Sequence, residues 1–129
     1  TSELSGFALG DAIVEGERDV VFRVSERLVA QGVSVGSLVY SASTTLRRAE
    51  KAMSKIEAGM PPGQIEKQLG MPPFLARRLI ASLGNASLET LKDATVAISD
   101  LEVWTRGGAE YPDELALDLA LLAATDDGL

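Results

Sequence analysis

The chain contains no cysteine and no histidine. That absence removes thiolate nucleophiles, disulfides, Cys/His zinc sites and imidazole acid–base chemistry together. Catalysis through carboxylate, lysine or serine remains, without its commonest partners. Long apolar runs are also missing: none approaches the roughly 18 residues that a membrane span requires. No basic-then-apolar signal segment opens the chain. Cations are in deficit, with 12 Lys and Arg against 19 Asp and Glu and a net charge of −7. Sequence-independent phosphate binding depends on clustered cations, so this balance disfavours it and reads as solubilising surface charge. Apart from Gly107-Gly108 the glycines are scattered singly, and no GxxxxGK[ST] phosphate loop occurs. They read as helix stops, and no cofactor or metal site is assigned.

What is present is helical periodicity. At 129 residues the chain is one domain by size, long enough to bury roughly two-thirds of its unfolded surface without a staple. No stretch alternates as a strand does, and no repeat period stands out. The expected architecture is all-α: a single-domain bundle of about six or seven helices, with a polar, frayed lead over residues 1–6, the helical domain over 7–124 and an acidic tail over 125–129. Thr1 is not an initiator methionine, so the chain is expected to be a fragment or a processed product. A cytoplasmic setting follows by default from the lack of an export signal and of cysteine.

Short helices are expected at about 9–15 and 17–31, closed by Gly16 and Gly32. Ser34 is a suitable N-cap for a long helix to about Ala58, with Leu38, Val39, Ala42, Leu46, Ala49, Met53 and Ile56 recurring every three or four residues. Its opposite face carries Arg47, Arg48, Lys51 and Lys55, the most basic spot in the chain. That spot reads first as a solvated, salt-bridged face and secondarily as a phosphate-contacting ridge. Another helix is expected from the Ser87 cap to about Arg106, and a last one from near Pro112. In the last helix Leu115, Leu119 and Leu122 form one stripe, while Leu117 and Leu121 form a second beside it. Such breadth places the helix centrally in the bundle or partly against another subunit.

The stretch Pro61–Leu83 holds two short amphipathic helices around the corner Leu69-Gly70-Met71-Pro72-Pro73-Phe74. It fits a DNA-reading helix-turn-helix or a helical corner in an interaction domain. The chemistry of the first is lacking: a recognition helix begins with side chains that donate or accept, and this one begins Met-Pro-Pro-Phe. Arg77 and Arg78 follow a turn later, within reach of phosphate. Two carboxylate pairs, Asp100 with Glu102 and Asp126 with Asp127, read as exposed positions, and a shifted pKa needs burial. No catalytic residue is assigned. Trp104 and Tyr111 flank the Gly107-Gly108 turn, where they close one end of the bundle, anchor a protein interface or stack on an unpaired base.

The order of these segments carries a resemblance. Phe7-x-Leu9-x-Asp11-Ala12-Ile13-x-x-Gly16 is followed by a helix ending at Gly32 and a long helix containing Leu46-Arg47. Then come Leu69-Gly70-Met71-Pro72-Pro73-Phe74-x-Ala76-Arg77-Arg78, Ser87-Leu88-x-x-Leu91, Asp100-x-x-Val103 and a Leu-rich closing helix. From Phe7 to Ala124 the chain resembles the C-terminal domain of the delta subunit of bacterial DNA polymerase III, a clamp-loader family. It departs at Trp104-Thr105-Arg106-Gly107, where the family often has Lys-Thr-Gly. The resemblance implies a helical collar domain, about the last third of a full-length delta subunit. It implies partners of the gamma/tau and delta-prime type and a place in the DNA polymerase III holoenzyme, a DNA-directed DNA polymerase. Grip on the sliding clamp would belong to an N-terminal module outside this chain. No enzymatic activity is expected of this domain itself, and contact with DNA would be indirect or weak.

Surplus hydrophobicity nominates Phe74, Trp104, Tyr111, Leu117 and Leu121 as the partner interface. Each has a competing place in the intramolecular core, and for Phe74 the core is preferred. Arg47, Arg48, Arg77 and Arg78 are the candidates to lie near DNA. A generic helical adaptor is the remaining alternative.

Overall fold

The structure, a computed structural model, describes residues 4–84, 86–108 and 112–125. Among these it is all helical, as expected. The order is α1 (Ala8–Glu15), α2 (Arg18–Ala30), α3 (Val35–Glu57), α4 (Pro62–Gln68), α5 (Pro73–Ser82), α6 (Leu88–Val103), a π-helical turn (Trp104–Gly108) and α7 (Asp113–Ala124). The sequence boundaries hold to within a residue or two except at the end of α6, where the π-helical turn replaces the last expected turn.

Local chemistry accounts for the helix ends. The Ser34 hydroxyl accepts from the Ser37 N–H at 3.1 Å and caps α3. Ser87 and Thr90 form a reciprocal capping box, each hydroxyl accepting from the other residue's N–H at 3.1 Å. Proline opens both α4 and α5, where its missing N–H breaks no helical bond. Between them Gly70 takes φ +66°, a left-handed conformation that lets the four-residue link over 69–72 turn from one helix into the next.

Helix α3 organises the rest, packing against α1, α4, α5, α6 and α7. The expected stripe Leu38, Val39, Ala42, Leu46, Ala49 and Met53 is buried. A second seam of small residues, Ser41, Thr45 and Ala52, is buried as well. Periodicity alone marks only one apolar stripe there, because serine and threonine do not register as core. They are buried because α1 crosses close by. A Cβ added at Gly10 would lie 2.7 Å from Thr45 Cβ, and Ser41 Oγ donates to the Gly6 carbonyl at 2.8 Å.

Both ends of the domain are tied down by side chains. Leu4, within the stretch expected to fray, donates its N–H to Gln31 Oε1 at 2.9 Å and accepts from Gln31 Nε2 at 3.3 Å. Thr125, expected to begin the acidic tail, is buried and donates to the Leu121 carbonyl at 2.6 Å. Arg18 then reaches from the start of α2 to the end of α7. It bonds Thr125 Oγ1 at 3.1 Å, the Thr125 carbonyl at 3.2 Å and the Leu122 carbonyl at 3.3 Å. A cation there meets the negative end of the α7 dipole.

Candidate partner-binding face

Helix α7 carries two leucine stripes, and only one can face inward. Leu117 is 2 % exposed and Leu121 fully buried, whereas Leu115, Leu119 and Leu122 are 46, 42 and 44 % exposed. The expectation that Leu117 and Leu121 face a partner is therefore corrected. They fill the core, and the outward stripe is Leu115, Leu119 and Leu122. Both stripes obey helical spacing. Packing against α6, α2 and α3 decides which one is covered.

The outward stripe continues across a shallow cleft of about 130 Å³ between α6 and α7. Leu119 and Ala123 line its α7 side, and Ala97, Asp100 and Trp104 its α6 side. Trp104, at the start of the π-helical turn, remains 37 % exposed. Beside Asp100 on α6 lie Val96 and Val103, two turns apart and 60 and 67 % exposed. The result is a band of apolar side chains over the closing hairpin, interrupted by carboxylates at Asp93, Asp100 and Asp118, all exposed. Tyr111 and the pair Asp126 and Asp127 lie outside the described residues. Of the other carboxylate pair, Asp100 is exposed, and Glu102 accepts from Arg106 at 2.6 Å one helical turn on.

The basic residues do not form one surface. Lys51 Nζ donates to the Gln68 carbonyl at 3.0 Å and Lys55 Nζ to Gln68 Oε1 at 2.6 Å, so both serve the C-terminal end of α4. Arg77 is paired with Glu66 at 3.6 Å, and Arg47 donates to Thr44 Oγ1 at 3.4 Å. Only Arg48 and Arg78 are brought together, on a groove of about 410 Å³ between α1, α3 and α5. Asp11 and Glu15 stand on the same groove. Burial raises the Asp11 carboxyl above its ordinary pKa, Arg78 partly opposes this, and the Glu15 charge adds to it. Phe74, preferred as core, instead stands 60 % exposed at the start of α5.

Sequence reasoning missed this groove because its walls come from three separated segments. The only local signal was Asp11 and Glu15, four residues apart on one helical face. It also missed Val96 and Val103, which sit singly among polar residues.

Comparison with known proteins places this architecture. The helical domain superposes on the Bacillus subtilis DNA clamp loader delta protein with a TM-score of 0.77 over 93 % of this chain, at 21 % identity. At that identity the likeness establishes the fold. The chain spans 35 % of that protein's length. No curated protein matches the sequence significantly. The family model that matches, over residues 3–124, describes the C-terminal domain of the DNA polymerase III delta subunit. The chain therefore belongs to the family formed by the C-terminal domains of DNA polymerase III delta subunits.

Proposed function

We propose that this domain is a non-catalytic assembly module of a cytoplasmic replication clamp loader. It packs against subunits of the gamma/tau and delta-prime type through the α6–α7 face. The observation that carries this reading is the apolar band of Val103, Trp104, Leu115, Leu119 and Leu122, exposed in the single chain. A helix that already buries Leu117 and Leu121 leaves three further leucines only a little over half covered by its own fold. In water that stripe is a cost to solubility unless a partner covers it. The carboxylates around the band set register and exclude acidic partners, favouring a neighbour with a basic rim. Contact with the sliding clamp lies in the part of the delta protein outside this chain, and any approach of DNA is indirect.

The test is co-elution of the chain with the C-terminal domains of gamma/tau-type and delta-prime-type subunits, followed by light scattering at ~0.15 and ~0.5 M salt. A heteromeric peak that survives the higher salt and is lost on Leu115→Ser/Leu119→Ser supports the reading. A complex indifferent to those substitutions, or no complex at all, overturns it. Duplex DNA binding that falls steeply with salt would return the Pro61–Leu83 corner to consideration.

A further inference from the structure

The groove between α1, α3 and α5 is separate from the α6–α7 face and has a different chemistry. Its volume of about 410 Å³ falls within the range of ligand-sized clefts, roughly 300–1,000 Å³. Phe7, Met71, Leu75 and Leu79 supply its apolar lining. Phe7, just before α1, is 47 % exposed there, although Leu9, Ala12, Ile13 and Val14 of α1 are in the core. Charge is divided by wall: Asp11 and Glu15 project from α1, and Arg48 and Arg78 from α3 and α5.

The two guanidiniums are what make the groove more than a surface dent. Among the described residues neither Arg48 nor Arg78 makes a hydrogen bond or an ion pair, whereas Lys51, Lys55, Arg77 and Arg18 are all engaged. Arg78 acts on Asp11 through its field, and among the described residues no donor bonds the Asp11 carboxyl. Unused forked donors beside an apolar floor match a carboxylate attached to an apolar body. Facing acceptors on the opposite wall match an N–H or a cation at the ligand's other end. Nucleic acid fits less well, because a phosphate backbone offers only anions to Asp11 and Glu15.

We propose that this groove binds a linear segment of another protein, one that inserts a large apolar side chain and sets an Asp or Glu against Arg48 and Arg78. The apolar side chain lies over Phe7 and Leu75, and the segment's N–H groups or a basic residue meet Asp11 and Glu15. This inference does not depend on the α6–α7 assembly reading, since no residue is shared between the two surfaces.

The experiment is selection of a random linear-peptide library on the immobilised chain, with binding of the selected peptides measured by fluorescence anisotropy. Peptides that pair an acidic residue with a large apolar one are expected. Arg48→Ala/Arg78→Ala should weaken them by about tenfold or more, the loss expected for charge-assisted hydrogen bonds. Selection on Arg48→Glu/Arg78→Glu should exchange the acidic residue for Lys or Arg. Both arginines are outside the core, and circular dichroism checks that the variants remain folded. The proposal is overturned if no peptide is selected, or if those selected bind the charge-reversed variant equally. It is also overturned if a single-stranded oligonucleotide displaces them with the same dependence on Arg48 and Arg78. Leu115→Ser/Leu119→Ser should leave the peptides bound, which separates this outcome from failure of the assembly reading.

Discussion

Gly10 and Thr45 set how close two helices can come. An alanine at Gly10 would bring its Cβ to 2.7 Å from Thr45 Cβ and 2.8 Å from Oγ1, well inside van der Waals contact. Glycine to alanine within a helix is ordinarily favourable, by roughly 0.5–1 kcal/mol. Here overpacking should outweigh that gain, and Gly10→Ala should cost about 1–3 kcal/mol by urea denaturation. Truncating Thr45 to Ala should rescue it only in part, because the Thr45 Cβ is itself the nearest atom. Asp11 supplies a test in pH. Its carboxyl titrates above the ordinary value of 3.8 because burial disfavours the charged form, with Arg78 opposing and Glu15 reinforcing. The folded state therefore bears a cost whenever Asp11 is ionised. That cost is fully present above the raised pKa, is relieved as pH falls through it, and vanishes below 3.8, where the unfolded carboxyl protonates too. Asp11→Asn should unfold at a higher urea midpoint than the parent at neutral pH, and the gap should close as pH is lowered past 3.8. A gap that widened on acidification would contradict the burial account.

At the scale of elements, α7 is the informative case. Its leucines are interchangeable in composition and spacing, yet they divide into core and surface. Leu121→Ala should cost about 2–5 kcal/mol, since a fully buried side chain leaves a cavity. Leu119→Ser, on the half-covered outward stripe, should cost less, about 1 kcal/mol. Thermal denaturation of the two variants side by side checks the assignment, and a reversed order would refute it. The docking of α7 also depends on Arg18, whose three bonds join the start of α2 to the last turn of α7. Arg18→Ala should lower stability by about 1 kcal/mol. Its clearest sign should be faster amide exchange in the last turn of α7 than in α3. Nothing in the sequence near Arg18 marks that role, because its partners lie more than a hundred residues on. Local signals did place the starts of α3 and α6: Ser34 and Ser87 both cap as their positions suggested.

At the scale of the whole molecule, two surfaces are left with chemistry that the fold itself does not use. One is the apolar band over α6 and α7, and the other is the mixed-charge groove between α1, α3 and α5. They respond differently to salt, which gives a solution test of the division. Assembly through the band should persist at ~0.5 M salt, whereas peptide binding through Arg48 and Arg78 should weaken, because exposed charges are screened. The same titration on Leu115→Ser/Leu119→Ser should remove the first behaviour and spare the second.

Helix number, the helix ends other than that of α6, and the length and apolar stripe of α3 were legible from the chain alone. Each depends on contacts within a few residues: a cap hydroxyl with an N–H three positions on, a left-handed glycine, an apolar side chain every third or fourth place. The resemblance to the C-terminal domains of clamp-loader delta proteins was legible too, because it lies in the order of those local signals. What only the tertiary structure decided was direction and company. Leu117 and Leu121 against Leu115, Leu119 and Leu122 is a choice of rotation about one helix axis, which the stripes' equal spacing cannot make and the neighbouring helices can. Ser41 and Thr45 became core because Gly10 let α1 approach. Arg48 and Arg78, indistinguishable in sequence from Arg47 and Arg77, came to share one groove because α3 and α5 meet α1 at the same place.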